Sequence, residues 1–162
     1  MMAYRTNTVR RGQVDGSEAV SVPYLYFVPT FEVEDWFQVQ NLRSVYPLST
    51  WAECELRVVH NTHHILNSLD GIAGTVGAAV RGTFFVLGWI AKRCPELVRE
   101  IRSRGHELAS HGYSHELCTE LSGEALVQDL QRSKWLLEDL SGGVVRGYRA
   151  PSFSVCPGLF PA

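Results

Sequence analysis

The chain has 162 residues, of which 45% are hydrophobic and 20% are charged, and its formal net charge is −2. This length and composition are typical of one globular domain with a hydrophobic core. The nearly balanced charge gives no support for nucleic-acid binding, and no run reaches the ~18 apolar residues of a membrane-spanning helix.

The chain begins with a polar, aperiodic segment, residues 1–20, which we expect to be a disordered tail. This segment contains arginines but lacks the apolar stretch of a secretory signal peptide. The four cysteines are widely spaced and form no C-x-x-C pair, which favours reduced thiols. Together these features predict a cytoplasmic protein.

Hydrophobic periodicity divides the rest of the chain into alternating strands and helices. In chain order, the predicted elements are strand 24–33 with a break near Pro29, helix 51–69, strand 83–87, helix 89–104, strand 106–110, helix 123–140 and strand 144–150. This alternation predicts an α/β fold with a mainly parallel sheet and crossover helices.

Local signals set the boundaries of the first helix. Thr50 and Glu53 have the spacing of a capping box, and Asp70-Gly71 is typical of a helix end. Residues 71–80 are small and Gly-rich, so we predict a loop there. In the last predicted helix, leucines at helical spacing predict the buried face, and they are Leu126, Leu130, Leu137 and Leu140.

Polar clusters follow three of the predicted strands. They are residues 32–35, 111–115 and 149–153. Because functional sites of α/β folds gather at the carboxyl ends of their strands, we expect the three clusters to form one site. A closed α/β barrel usually needs about 200 residues or more, so the sheet is either open and small or part of a longer domain.

Two histidines, His111 and His115, stand four residues apart directly after a predicted strand. On a turn of helix, residues i and i+4 share a face, so these imidazoles could hold one metal ion. A carboxylate from residues 32–35 could be the third ligand. Two histidines and one carboxylate leave a position open for water, as in catalytic metal sites.

Other histidines have weaker contexts. His60 and His64 have the same spacing, but they lie among polar residues of a predicted helix, which favours a structural or solvent-facing role. His106-Glu107 lacks a histidine at position 110, so the sequence does not predict a zincin.

The three clusters, with the strand at 83–87, resemble the polysaccharide deacetylase family (NodB homology, carbohydrate esterase family 4). The resemblance is greatest to its branch associated with exopolysaccharide and exosortase gene clusters. The matching segments are Glu32–Phe37, Thr83–Trp89, Gly105–His115 and Arg149–Ser154. The resemblance covers about residues 24–156 and implies a partial, distorted (β/α) barrel. We therefore expect a domain over residues 21–162 that lacks the last strands of the family barrel.

The resemblance implies a hydrolase that removes N-acetyl groups from amino sugars, with a polysaccharide or amino-sugar oligomer as substrate. Carried over to this chain, the general base is Glu32, and Arg149 orients it. The backbone N–H of Ser152 would help to bind the oxyanion. The alternative that stays open is a non-catalytic, truncated carbohydrate-binding relic of the family.

The resemblance also implies a divalent metal, commonly zinc, with His111 and His115 as ligands. The metal carboxylate is either Glu34 or Asp35. Strand alternation places residues 32 and 34 on one side of the chain, but a strand end can curl, so both alternatives remain.

Two features depart from the family pattern. Glu32 stands where the family has aspartate, and a shift of ~1 Å from the extra methylene can cost on the order of 100-fold in rate. The late histidine that serves as general acid is absent, and His64 and His106 are candidates for that role by side-chain type only.

Overall fold

The computed structural model describes residues 27–157, and the predicted tail over residues 1–20 lies outside them. Four strands form one parallel sheet in the order β1-β2-β3-β4: β1 Thr30–Val33, β2 Thr83–Val86, β3 Glu107–Ser110 and β4 Gly147–Tyr148. Four α-helices connect them: α1 Val58–Val76, α2 Gly88–Arg93, α3 Pro95–Ser103 and α4 Gly123–Ser141. The predicted α/β fold with a parallel sheet is confirmed, and the sheet is open rather than closed.

The two faces of the sheet differ in character. Phe84 and Val86 of β2 are fully buried, whereas Thr83 and Phe85 alternate to the other face. The buried side packs against the helices in one hydrophobic core, which includes Val33, Leu66, Phe84, Val86, Ile90, Val98, Ile101, Leu108 and Leu137. The opposite face carries a row of paired residues, Glu32, Phe85, Ala109 and Gly147. This second face leads to the polar clusters at the carboxyl ends of the strands.

The first helix differs from its prediction at both ends. Leu48–Glu53 forms a 3-10 helix, in which the Thr50 hydroxyl donates to the Pro47 carbonyl instead of capping a longer helix. The α-helix begins only at Val58 and continues through the glycines of the predicted loop to Val76. It ends at Gly77, whose φ of 67° is the left-handed conformation that glycine adopts without strain.

The remaining elements lie close to their predicted positions. The predicted helix 89–104 is divided into α2 and α3, because Pro95 begins a new helix at its first turn. In the last predicted strand, only Gly147–Tyr148 pairs with β3, and the Val145 N–H is instead bonded to the Glu138 carboxylate. At the first predicted strand, pairing starts at Thr30.

Within residues 27–157, no helix combines the length and apolar character that crossing a bilayer requires. Residues 24–26 of the first predicted strand lie outside the described part of the chain.

Candidate metal centre

Three residues from distant parts of the chain converge at the carboxyl edge of the sheet. Glu34 follows β1, whereas His111 and His115 follow β3, and each offers a ligand atom within 4.8 Å of the other two. The Glu34 Oε2 atom lies 3.1 Å from Nε2 of His115 and 3.7 Å from Nε2 of His111. This is the spacing of atoms that can share one metal ion.

The chemistry of the cluster fits a divalent cation. The two histidines are 1% and 5% exposed, and among residues 27–157 Glu34 Oε2, His111 Nε2 and His115 Nδ1 make no hydrogen bond. A buried polar atom without a partner costs about 1–3 kcal/mol, so the neighbouring Glu34 Oε2 and His111 Nε2 call for a shared ligand. Two imidazoles and one carboxylate form the donor set of catalytic zinc sites.

A backbone carbonyl orients the first histidine. Nδ1 of His111 lies 2.9 Å from the Arg149 carbonyl oxygen, which can only accept, so the proton is on Nδ1 and Nε2 has a free lone pair. Burial lowers the pKa of His111, outweighing the opposing effect of the nearby Glu34 carboxylate. The ring is therefore held in the neutral form that binds metals.

The two histidines do not share a face of a helix, contrary to the expectation from their spacing. Residues 111–117 form a loop, in which Gly112 has φ 77° and His115 has φ 56°. These left-handed conformations reverse the chain and bring His115 back to His111. A Cβ atom at Gly112 would lie 2.9 Å from Asp129 Oδ2, so the loop needs glycine there.

Helix α4 braces this loop through residues that the sequence analysis missed. Both carboxylate oxygens of Asp129 accept the Tyr113 N–H, at 3.1 and 3.2 Å. The buried Ser133 hydroxyl donates to the Gly112 carbonyl at 2.9 Å and lies 2.8 Å from the Ser110 hydroxyl. The available signal was a polar pair, 129 and 133, at helical spacing between the buried residues 126 and 137.

The structure separates the two carboxylates that the sequence left as alternatives. Asp35 is 3% exposed and turns away from the histidines toward the start of α1. Its Oδ2 atom accepts the N–H groups of Arg57 and Val58 at 2.8 and 3.0 Å, and Oδ1 accepts that of Trp36 at 2.9 Å. With both oxygens satisfied by these amides, Asp35 is not in the cluster, and the geometry favours Glu34 as ligand.

The residues predicted as base and orienting arginine are in contact. An Nη1 atom of Arg149 lies 3.3 Å from Oε1 of Glu32, and its Nη2 donates to the Thr30 hydroxyl at 2.9 Å. The guanidinium also lies over the Phe85 ring, 4.0 Å from its centroid. These contacts hold the charged group against the face of the sheet that leads to the metal centre.

Ser152 lies in the tight turn Pro151–Phe153, which packs beside the histidine loop, with Pro151 Cγ 3.8 Å from a Cβ placed on Gly112. Ser152 is exposed and left-handed, with φ 49°. Within residues 27–157, its N–H donates no hydrogen bond and is free to meet an acceptor from outside.

The two histidines considered as general acids lie elsewhere. His106 is buried at the amino end of β3, where its Nδ1 accepts the Gly82 N–H at 3.2 Å. His64 is exposed on α1 beside His60. Neither faces the metal centre.

Comparisons with known proteins are consistent with this geometry. Residues 76–155 match the sequence model of the family described as polysaccharide deacetylase. A peptidoglycan deacetylase-like protein from Gibberella zeae is 34% identical over 84 residues, covering 52% of this chain and 25% of that protein. Chitin deacetylase 1 from Saccharomyces cerevisiae is 34% identical over 71 residues, covering 44% of this chain and 24% of that protein. The chain thus matches about a quarter of the length of these relatives.

The fold also matches a solved structure, a wild-type CE4 family pseudoenzyme from Bacillus anthracis. The TM-score is 0.60 at 20% identity, over 82% of this chain and 37% of that protein. At this identity the likeness concerns the fold alone.

Proposed function

Because the chain belongs to the polysaccharide deacetylase family, we propose that it is a metal-dependent hydrolase that removes N-acetyl groups from amino sugars of a polysaccharide. The observation that carries this proposal is the convergence of Glu34, His111 and His115, with Glu32 and Arg149 beside them. A plain structural role would not require Glu34 Oε2 and His111 Nε2 to meet while neither has a hydrogen-bond partner among residues 27–157.

The metal centre would hold one divalent cation, for which we propose zinc, through Glu34, His111 and His115. A bound zinc ion supplies Lewis acidity and lowers the pKa of a coordinated water to about 7. The neutral state of His111 and the unpartnered Glu34 oxygen prepare these side chains as ligands.

The remaining side chains would handle the proton and the developing charge. Glu32, as general base, would take a proton from the attacking water. The Arg149 guanidinium, 3.3 Å from Oε1 of Glu32, would hold this carboxylate in place. The free N–H of Ser152 would donate a hydrogen bond to the amide oxygen as negative charge develops on it, a contribution of about 3–4 kcal/mol in comparable sites.

Acetate release from N-acetylglucosamine oligomers tests this function. We expect zinc-dependent release by the purified chain, loss of release in Glu32→Gln with zinc binding retained, and loss of both in His111→Ala. Bound zinc without acetate release in the native chain would instead favour the carbohydrate-binding relic. Absence of zinc binding by folded protein would refute both functions.

The cellular setting is a further part of the proposal. The resemblance of residues 32–37 and 149–154 to the exopolysaccharide-associated branch leads us to propose a role in exopolysaccharide modification. The four cysteines are free thiols, which supports the proposed cytoplasmic location. Cell fractionation, and analysis of the N-acetyl content of secreted polymer in a deletion strain, test these two points.

A further inference from the structure

The exposed face of α1 presents two imidazole rings side by side. His60 and His64 are both exposed, and their Nε2 atoms are 3.0 Å apart. The ring centroids are 4.4 Å apart, and the ring planes are nearly perpendicular at 86°. The buried face of the helix is formed by other residues, namely Val58, Thr62, Leu66 and Leu69. The two rings are therefore not part of the hydrophobic core.

The separation of the two nitrogens fits a chelate. Nitrogen ligands bound at ~2.0–2.1 Å are about 2.9 Å apart when they subtend 90° at the metal, and about 3.4 Å apart at the tetrahedral angle. The observed 3.0 Å lies near the first value. In the metal-free chain this contact is a hydrogen bond between the two Nε2 atoms, and a bound metal would displace its proton. A nitrogen–metal–nitrogen angle near 90° is characteristic of the tetragonal coordination of Cu²⁺ and Ni²⁺, and both ions also bind imidazole strongly.

The neighbouring histidine has a different role. His63 points to another side of α1, where its Nε2 lies 2.7 Å from the Glu100 carboxylate. It is therefore engaged by α3 and is not available to the pair, although it is adjacent in sequence. This makes it a matched control within the same helix.

We infer that His60 and His64 form a second metal site, which binds Cu²⁺ or Ni²⁺ through two Nε2 atoms, with water completing the coordination. This site differs from the metal centre because it is exposed and because, among residues 27–157, no carboxylate forms a cluster with the two rings, so it accepts metals that prefer nitrogen ligands. A metal bound there bridges consecutive turns of α1 and stabilises the folded chain over the unfolded one.

Copper binding to the whole chain tests the inference. Calorimetric titration of the native protein and of the double variant His60→Ala/His64→Ala should show one Cu²⁺ fewer per chain in the double variant. His63→Ala should bind as many ions as the native protein. Each single variant, His60→Ala or His64→Ala, should weaken the site at least about tenfold, because the chelate is lost.

A second readout reports on the ligands themselves. The difference in electron paramagnetic resonance signal between the native protein and the double variant, at equal Cu²⁺ loading, should show coupling to two nitrogens. In either single variant, the corresponding signal should show coupling to fewer nitrogens. Equal copper stoichiometry and affinity in the native protein and the double variant would overturn the inference. Because the test is a difference between two folded proteins, it stands whether or not the chain releases acetate.

Discussion

Glu34 and Asp35 are adjacent acids with different surroundings: Glu34 lies in the metal cluster, and Asp35 binds the backbone at the start of α1. Substituting each in turn separates the two roles. In Glu34→Gln, we expect zinc affinity to fall more than about 100-fold, because even the loss of an outer hydrogen bond to a metal ligand costs 10–100-fold. The stability of the metal-free protein should change by less than about 1 kcal/mol, since Glu34 Oε2 has no hydrogen-bond partner among residues 27–157.

In Asp35→Asn, we expect the reverse. The carboxylate accepts three backbone N–H groups, two of them at the start of α1, and an amide keeps only one acceptor oxygen. Hydrogen bonds to a charged group are worth about 1.5–3 kcal/mol, so the free energy of unfolding should fall by roughly 2–3 kcal/mol. For a chain of this size, that corresponds to a decrease in Tm of roughly 4–12 °C. Zinc affinity should change less than about tenfold.

Zinc competition titrations and urea unfolding of the metal-free proteins measure both quantities. Each variant loses one negative charge at adjacent positions, so general electrostatic effects are matched between them. The assignment of the ligand would be refuted if Asp35→Asn lost zinc as strongly as Glu34→Gln, or if Glu34→Gln kept it.

Three further predictions follow from the contacts around the centre. Arg149→Met should lower kcat for acetate release about 100-fold, because the side chain that positions Glu32 is lost. Zinc affinity should stay unchanged, since His111 bonds to the backbone carbonyl of residue 149, which the variant keeps. A parallel loss of zinc affinity would contradict this prediction. Ser133→Ala should lower the free energy of unfolding in urea by about 2 kcal/mol and zinc affinity about tenfold, because the Gly112 carbonyl and the Ser110 hydroxyl lose a partner. Unchanged zinc affinity would show that Ser133 does not position the metal ligands. Burial lowers the pKa of His106, so the unfolded chain binds a proton that the folded chain does not, and the free energy of unfolding should fall as the pH drops below 6.5. In His106→Gln, the free energy of unfolding should depend less steeply on pH. The same slope in the variant and the native protein would show that His106 does not cause the pH dependence.

Much of the fold could be predicted from local patterns. β2 and β3 are short apolar runs closed by glycine or a polar cluster. Ser122, whose side chain accepts the Ala125 N–H, caps the start of α4, and Gly142 caps its end. The parallel order then places residues 34, 111 and 149 at one edge. The residues that meet at this edge could therefore be predicted from the sequence, because each of them follows the end of a predicted strand.

The errors arise where tertiary contacts outweigh local preference. Thr50 and Glu53 have the spacing of a capping box, but the first N–H groups of α1 are instead bound by the Asp35 carboxylate. Asp35 lies 22 residues before Arg57, so no local pattern reveals this cap. His111 and His115 are brought together by a loop with left-handed residues and not by a turn of helix. The carboxylate of Asp129 from α4 holds this loop through a hydrogen bond from the Tyr113 N–H. Both features depend on contacts between segments that are distant in sequence.

The hydrogen bond from His111 to the Arg149 carbonyl, together with the support of the loop by α4, has a consequence for how the protein would acquire the proposed cation. A zinc finger folds only around its ion, whereas we expect these hydrogen bonds to arrange the ligands of this polypeptide before any ion binds. We expect a chelator to empty the centre while the scaffold persists, so that reloading is rapid and reversible. Catalysis would then follow the supply of ions in the surroundings without any refolding.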